Sequence, residues 1–283
     1  MRRIAMLGAG ILPLVLLGQD SLLAPGAKVE KLQGGYSFTE GPAADKGGNV
    51  YFTDQPNDRI VRWDAKTGAF SDWMKPAGRS NGTYFDRQGN LIASDKTVTV
   101  LVKDLGGQLL NGPNDLWIRP DGGLYFTDPL YVRPYWKRPS TSQQPGQRVY
   151  FIPSSGGAPR PVATDLKQPN GIIGTPDGKT LYVADIGAGK TYSYTIAADG
   201  SLGDKHLFCE MGSDGMTLDS EGNVYLTGKG VTVFDKTGHK VEHLDVPEGW
   251  TANVTFGGEK RDFLFITAGT SVYGARMRVR GAQ

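Results

Sequence analysis

The sequence predicts an all-β fold, a six-bladed β-propeller built around a central metal channel. Six short apolar runs, each behind a Gly-rich turn, recur at spacings near the ~40–45 residues of one four-stranded blade. Val, Ile, Tyr, Phe and Thr fill the runs, while 40 glycines and 17 prolines supply turns without any fibrous period. A Glu, Asn or Asp stands at nearly the same offset before every run.

Taken in order, the run at 48–54 has Glu40 14 residues before its end. The runs at 90–95 and 123–128 have Asn81 and Asn114 at that same offset. The run at 180–185 has Asn170 at 15, the run at 223–228 has Asp214 at 14, and the run at 263–268 has Asn253 at 15. Successive members are 41, 33, 56, 44 and 39 residues apart. If each run is an innermost strand, all six residues face one end of the channel. A lone Asn or Asp before a strand is an ordinary turn residue. Six in phase form a ring of oxygen atoms, whereas a simple turn would also accept Ser, Gly or Lys.

Two intervals depart from the mean. The short second one leads from Ser94-Asp95 through Lys96-Thr97 straight into Val98 and Val100, so blade two is expected to be reduced and to carry an exposed edge. The long third one inserts residues 129–147, with Tyr131, Arg133, Tyr135, Trp136 and Lys137. This insertion reads as a surface loop or as a substrate lid at the channel rim, with Tyr131 and Arg133 as substrate-binding candidates. The last strand-like run, 271–279, has no blade after it, and 28–32 is an orphan strand before the first ring residue. Pairing the two would close the ring and remove two edges.

Glu40, Asn114, Asn170 and Asp214 are the candidate metal ligands. Two carboxylates and two amide oxygens suit Ca²⁺, which takes six to eight oxygens in loose geometry. Mg²⁺ and Mn²⁺ are alternatives, and Zn²⁺ is disfavoured because His and Cys ligands are lacking. Asp214, in the Gly-flanked turn Gly212-Ser213-Asp214-Gly215, is the candidate catalytic carboxylate, as general base or as nucleophile. Asn81 and Asn253 are expected to contact substrate.

Composition narrows the function classes. Lys plus Arg is 31 and Asp plus Glu is 29 in 283 residues, a balance that argues against nucleic acid as partner. Cys209 is the only cysteine and reads as a small buried hydrophobe. The N-terminus reads as a signal peptide over residues 1–25, with Arg2 and Arg3 before an apolar stretch too short to span a membrane. A periplasmic or secreted propeller over 26–283 is therefore expected, with no membrane span in the mature protein.

The segments Phe38-Thr39-Glu40-Gly41-Pro42, Asn111-Gly112-Pro113-Asn114-Asp115, Pro169-Asn170-Gly171-Ile172 and Ser213-Asp214-Gly215-Met216 resemble the regucalcin–gluconolactonase family, which includes lactonase-type and diisopropyl-fluorophosphatase-like enzymes. The resemblance covers nearly everything after residue 30. It implies a calcium-dependent lactonase acting on a small lactone or ester, with Asp214 as the catalytic carboxylate. Some members place an arginine two residues before the position of Asn114, where this chain has Gly112, so the resemblance does not extend to that sugar-acid contact. A phosphotriesterase-like hydrolase at the same site and a non-enzymatic binding propeller are the alternative readings.

Overall fold

The computed structural model describes residues 21–93, 102 and 104–282. Most of the expected signal peptide, 1–20, lies outside the described residues, as does most of the 98–102 run. Among the described residues, no helix is long and apolar enough to cross a membrane.

Blade one is β2 (Thr39–Ala44), β3 (Val50–Asp54), β4 (Arg59–Trp63) and β5 (Phe70–Met74), hydrogen-bonded in that order. Blade three is β10 (Leu116–Ile118), β11 (Leu124–Asp128), β12 (Arg148–Ile152) and β13 (Arg160–Ala163). Blade four is β14 (Pro169–Gly174), β15 (Thr180–Asp185), β16 (Lys190–Ile196) and β17 (Leu202–Cys209). Blade five is β18 (Met216–Leu218), β19 (Val224–Gly228), β20 (Gly230–Phe234) and β21 (Lys240–Leu244).

The last blade joins both ends of the chain. β22 (Thr251–Gly257), β23 (Phe263–Ala268) and β24 (Ser271–Arg276) are completed by β1 (Glu30–Gly34), which lies antiparallel to β24. The closure expected from the two orphan segments is thus formed. Residues before β1 extend it: Leu23 bridges Met277, and the Leu22 N–H donates to Glu242 at 2.7 Å.

The second blade position is the exception. Its described part is the hairpin β6 (Thr83–Phe85) and β7 (Leu91–Ala93), and a separate pair, β8 (Asp104–Leu105) and β9 (Gln108–Leu109), follows. The described residues therefore form five complete four-stranded blades and one two-stranded blade in the ring of six. The first strands of the blades, β2, β6, β10, β14, β18 and β22, pack successively on one another and return to β2.

This order corrects one sequence expectation. The six apolar runs are the second strands of the blades, and the innermost strands are the Gly- and Pro-bearing segments that hold or follow the ring residues. The turns between first and second strands follow one chemical plan. Asp219 Oδ1 accepts from the Glu221 and Asn223 N–H groups while the Asn223 amide donates to Asp219 Oδ2, and Asp45 with Asn49 repeats the arrangement. Such turns make the backbone reversal with local side-chain acceptors. The core lies between blades, for instance where Trp63 stacks on Phe263 at 5.1 Å and where Trp117, Tyr125 and Phe151 pack with Leu181 and Val183.

Candidate metal centre

Three devices aim the ring residues at the axis. Glycine is the first. A Cβ on Gly41, which follows Glu40 at φ +44, would stand 2.1 Å from the Asn81 carbonyl oxygen, and one on Gly215 would stand 2.0 Å from the Asn253 side chain. Only glycine lets neighbouring inner strands approach this closely. The second device is the bulge. The β2–β3 register slips between Glu40 and Ala43, and the β14–β15 register slips between Pro169 and Ile172, which turns the Glu40 and Asn170 side chains out of the pleat.

The third device is the Thr or Asp found in the last two positions of the runs. Thr53 Oγ1 donates to the Asn81 carbonyl at 3.1 Å, and Thr267 Oγ1 does the same for Asn253 at 3.2 Å. The buried carboxylates of Asp54, Asp128 and Asp185 accept from the loops that lead into the ring residues. Asp54 takes the Ser37 and Phe38 N–H groups, Asp128 takes Asn111 and Gly112, and Asp185 takes Lys167 and Gln168. Backbone donors held on a buried carboxylate fix each loop two to three residues before Glu40, Asn114 and Asn170.

The result is a cavity of about 370 Å³ at one end of the channel. Glu40, Asn81, Asn114 and Asp214 line it, with Tyr131 and Arg133 from the 129–147 insertion and Trp250 from the loop before β22. Asn170 joins this set through its amide, which donates to Asp214 Oδ1 at 2.8 Å and to the Tyr131 hydroxyl at 3.0 Å. The Trp250 indole N–H donates to the other Asp214 oxygen at 2.6 Å. The insertion is therefore part of the cavity wall. Gly112 backs onto it, with a notional Cβ 3.4 Å from the Trp136 ring.

Asn253 lies elsewhere. Its amide donates to Glu40 Oε2 at 3.3 Å and its own Oδ1 accepts the Val254 N–H at 2.8 Å. It lines a smaller cavity of about 160 Å³ further along the channel, together with Asp115 and Arg261. Asn253 thus supports Glu40 from beneath and does not line the open cavity.

The electrostatics favour a cation. Burial pushes the Glu40 carboxyl well above the usual carboxylate range, and the Asp214 charge adds to the shift. Burial raises Asp214 to about 6, against the opposing pull of the Trp250 and Asn170 hydrogen bonds and the Arg133 charge. Asp115 is pushed up to about 7 by burial. Among the described residues, none of these three carboxylates has a Lys or Arg within ion-pair distance. The buried Asn170 Oδ1 meets no hydrogen-bond donor among the described residues. Enclosed carboxylates and an orphaned amide oxygen are costly without a partner, and a hard divalent ion would be a fitting one. Among the described residues, no group of three His, Cys, Asp or Glu side chains is disposed to hold a metal; the candidate donors are a mixed carboxylate–amide set.

Two participants were not read from the sequence. Asp115 directly follows a ring residue, and Trp250 sits in a loop with no fixed phase to the repeat. Only the first had a signal, its place in Pro113-Asn114-Asp115.

Comparison with known proteins gives concordant results. A family described as the SMP-30/Gluconolactonase/LRE-like region matches residues 38–270. A gluconolactonase of Zymomonas mobilis is 25% identical, with 93% of this chain and 85% of that protein covered. A pentonolactonase of Haloferax volcanii is 27% identical, with 77% of this chain and 76% of that protein covered. The solved structure of a Xanthomonas campestris gluconolactonase superposes with a TM-score of 0.80 at 28% identity, covering 90% of this chain and 91% of the other.

Proposed function

Because the chain belongs to the SMP-30/gluconolactonase/LRE-like family, we propose that it is a lactonase that opens a small, sugar-type lactone with water and depends on a divalent ion, Ca²⁺ before Mg²⁺, Mn²⁺ or Zn²⁺. The convergence of Glu40, Asn114, Asn170 and Asp214 from blades one, three, four and five on one cavity carries the reading. The relatives' lactonase activities support the substrate class.

Glu40, Asn114, Asn170 and Asp214 are the residues that would hold the ion. The bound ion supplies Lewis acidity for the lactone carbonyl and two positive charges that balance the two carboxylates. Asp214 takes a proton from water, and the water oxygen adds to the carbonyl carbon. The ring C–O bond then breaks, and the departing oxygen recovers a proton to become the hydroxyl of the acid product. Trp250 and Asn170 hold Asp214 in one orientation by hydrogen bonds to its two oxygens. Tyr131 and Arg133 form the wall against which the rest of the substrate lies.

The test is a hydrolysis screen of aldonolactones, acyl lactones and organophosphates, with added Ca²⁺ and with a chelator. Aldonolactone opening that stops on chelation and returns with Ca²⁺ is expected. Turnover of organophosphates alone would move the assignment to the phosphotriesterase-like alternative. Inactivity towards every class would favour the binding propeller.

A further inference from the structure

The basic residue Arg133 has no role in opening the lactone ring as described above, yet it lies in the wall of the same cavity. Two neighbouring cations are engaged by the protein itself. Arg138 donates to the Leu110 and Asn111 carbonyls and lies 4.3 Å from the Trp136 ring centroid. Arg79 covers Tyr135 at 4.4 Å. The Arg133 guanidinium lies 5.4 Å from the Tyr131 ring centroid and, among the described residues, forms no ion pair. Its backbone is fixed: the Trp136 N–H donates to the Arg133 carbonyl at 3.0 Å, and the Leu130 N–H donates to Gln147 Oε1 at 2.7 Å. Tyr131, against which the guanidinium lies, is itself held by the Asn170 amide.

Glu40 and Asp214 contribute two negative charges to the cavity, and a divalent ion offsets both. Arg133 is then one positive charge in excess, on a group built for planar, bidentate anions. We infer that Arg133 forms an anion subsite that makes the protein select lactones carrying a second, negatively charged group away from the reacting carbonyl. The inference rests on the lactonase reading and names its substrate class. A lactone ring with a carboxylate on its far end, an aldaric acid monolactone, is the minimal such molecule.

The experiment compares an aldaric monolactone with the neutral aldonolactone of the same ring, in the parent and in Arg133→Met, Arg133→Gln and Arg133→Lys, all with Ca²⁺. Calorimetry with the open-chain aldarate and aldonate supplies a binding readout independent of turnover. The parent is expected to favour the anionic lactone in kcat/KM by roughly 10- to 100-fold, the scale of one charge-assisted contact. Met and Gln should bring that ratio close to one, through KM for the anionic substrate, while Lys retains part of it.

A ratio that is the same in parent and Met variant overturns the inference and leaves the lactonase reading intact. An equal loss on both lactones also overturns it, because the residue would then only hold up the loop. So does an unchanged ratio with weakened aldonate binding, since Arg133 would then serve the product carboxylate. If no lactone is opened at all, the lactonase reading fails on its own, and calorimetry decides the subsite. Tighter binding of aldarate than aldonate that disappears in Arg133→Met supports the subsite, and equal binding in both proteins rejects it.

Discussion

At the scale of single residues, Asp214 and Glu40 differ in how they are held, and the difference predicts different consequences of mutation. Asp214 is a half-buried residue with a hydrogen bond to each oxygen, from Asn170 at 2.8 Å and Trp250 at 2.6 Å. Glu40 is 2% exposed and is tied to its own Gly41 N–H and to Asn253. Asp214→Asn keeps an oxygen for the ion and the contact with Trp250 but removes the base. Turnover should fall by about 10²–10⁴, the usual worth of a general base, with a smaller loss of calcium affinity. Glu40→Gln should show the reverse order, the larger loss being in calcium affinity measured by calorimetry. Near-parent turnover in Asp214→Asn would reduce that residue to a ligand, and a trapped acyl-enzyme would make it the nucleophile. The ring residues were legible in the sequence because position in a repeat converts to position in space. Trp250 was not, because nothing in the repeat fixes a loop residue's direction. Asn253 was legible as a member of the ring but not in its depth, because the turn of its own Oδ1 onto the Val254 N–H is a local choice that periodicity does not encode.

At the scale of elements, the readable strands were the second ones. Val224 to Gly228 and its counterparts in the four-stranded blades are buried on both faces over most of their length and so appear as continuous apolar runs. The inner strands are three to seven residues long, and the three longest contain Gly, Pro or both, a composition that normally argues against strand. Here it reflects the crowding of six backbones around an axis. The closing sheet was legible from its orphan ends. It also makes a prediction, because β24 lies between β23 and β1. Truncation after Thr270 removes the buried Val272, Tyr273, Met277 and Val279 and strips β1 of its partner. Each such side chain contributes about 1.5–3 kcal/mol on burial, so four together rival the whole net stability of ~5–15 kcal/mol typical of a domain. The truncated protein should show no cooperative thermal transition and no native near-ultraviolet circular dichroism. A melting curve like that of the parent would mean that the propeller does not need its closing sheet.

At the scale of the whole molecule, the channel gathers three enclosed carboxylates, Glu40, Asp115 and Asp214, from blades one, three and five, and this sets how stability depends on pH. Each has a folded-state pKa above its ordinary value, well above for Glu40, about 6 for Asp214 and about 7 for Asp115, with burial as the leading cause. Where the unfolded chain has already lost these protons, the folded ion-free protein still holds them. More protons on the folded state means that stability falls as pH rises. The ion-free protein should thus be most stable, as far as these groups decide, below the ordinary carboxylate range, and should lose stability through pH 6 and 7 as the channel is forced to ionise. A divalent ion reverses the sign, since it binds the ionised ring and only in the folded state. At about 100 times its dissociation constant it adds about 2.7 kcal/mol, worth roughly 5–10 °C in melting temperature. Thermal midpoints measured from pH 5 to 8, in chelator and in Ca²⁺, should therefore diverge: falling with pH in chelator, level or rising in Ca²⁺, and furthest apart at pH 8. Two parallel curves would mean that the ion does not sit among these carboxylates. A flat curve in chelator would mean that the channel carboxylates are paid for by partners other than their own protons.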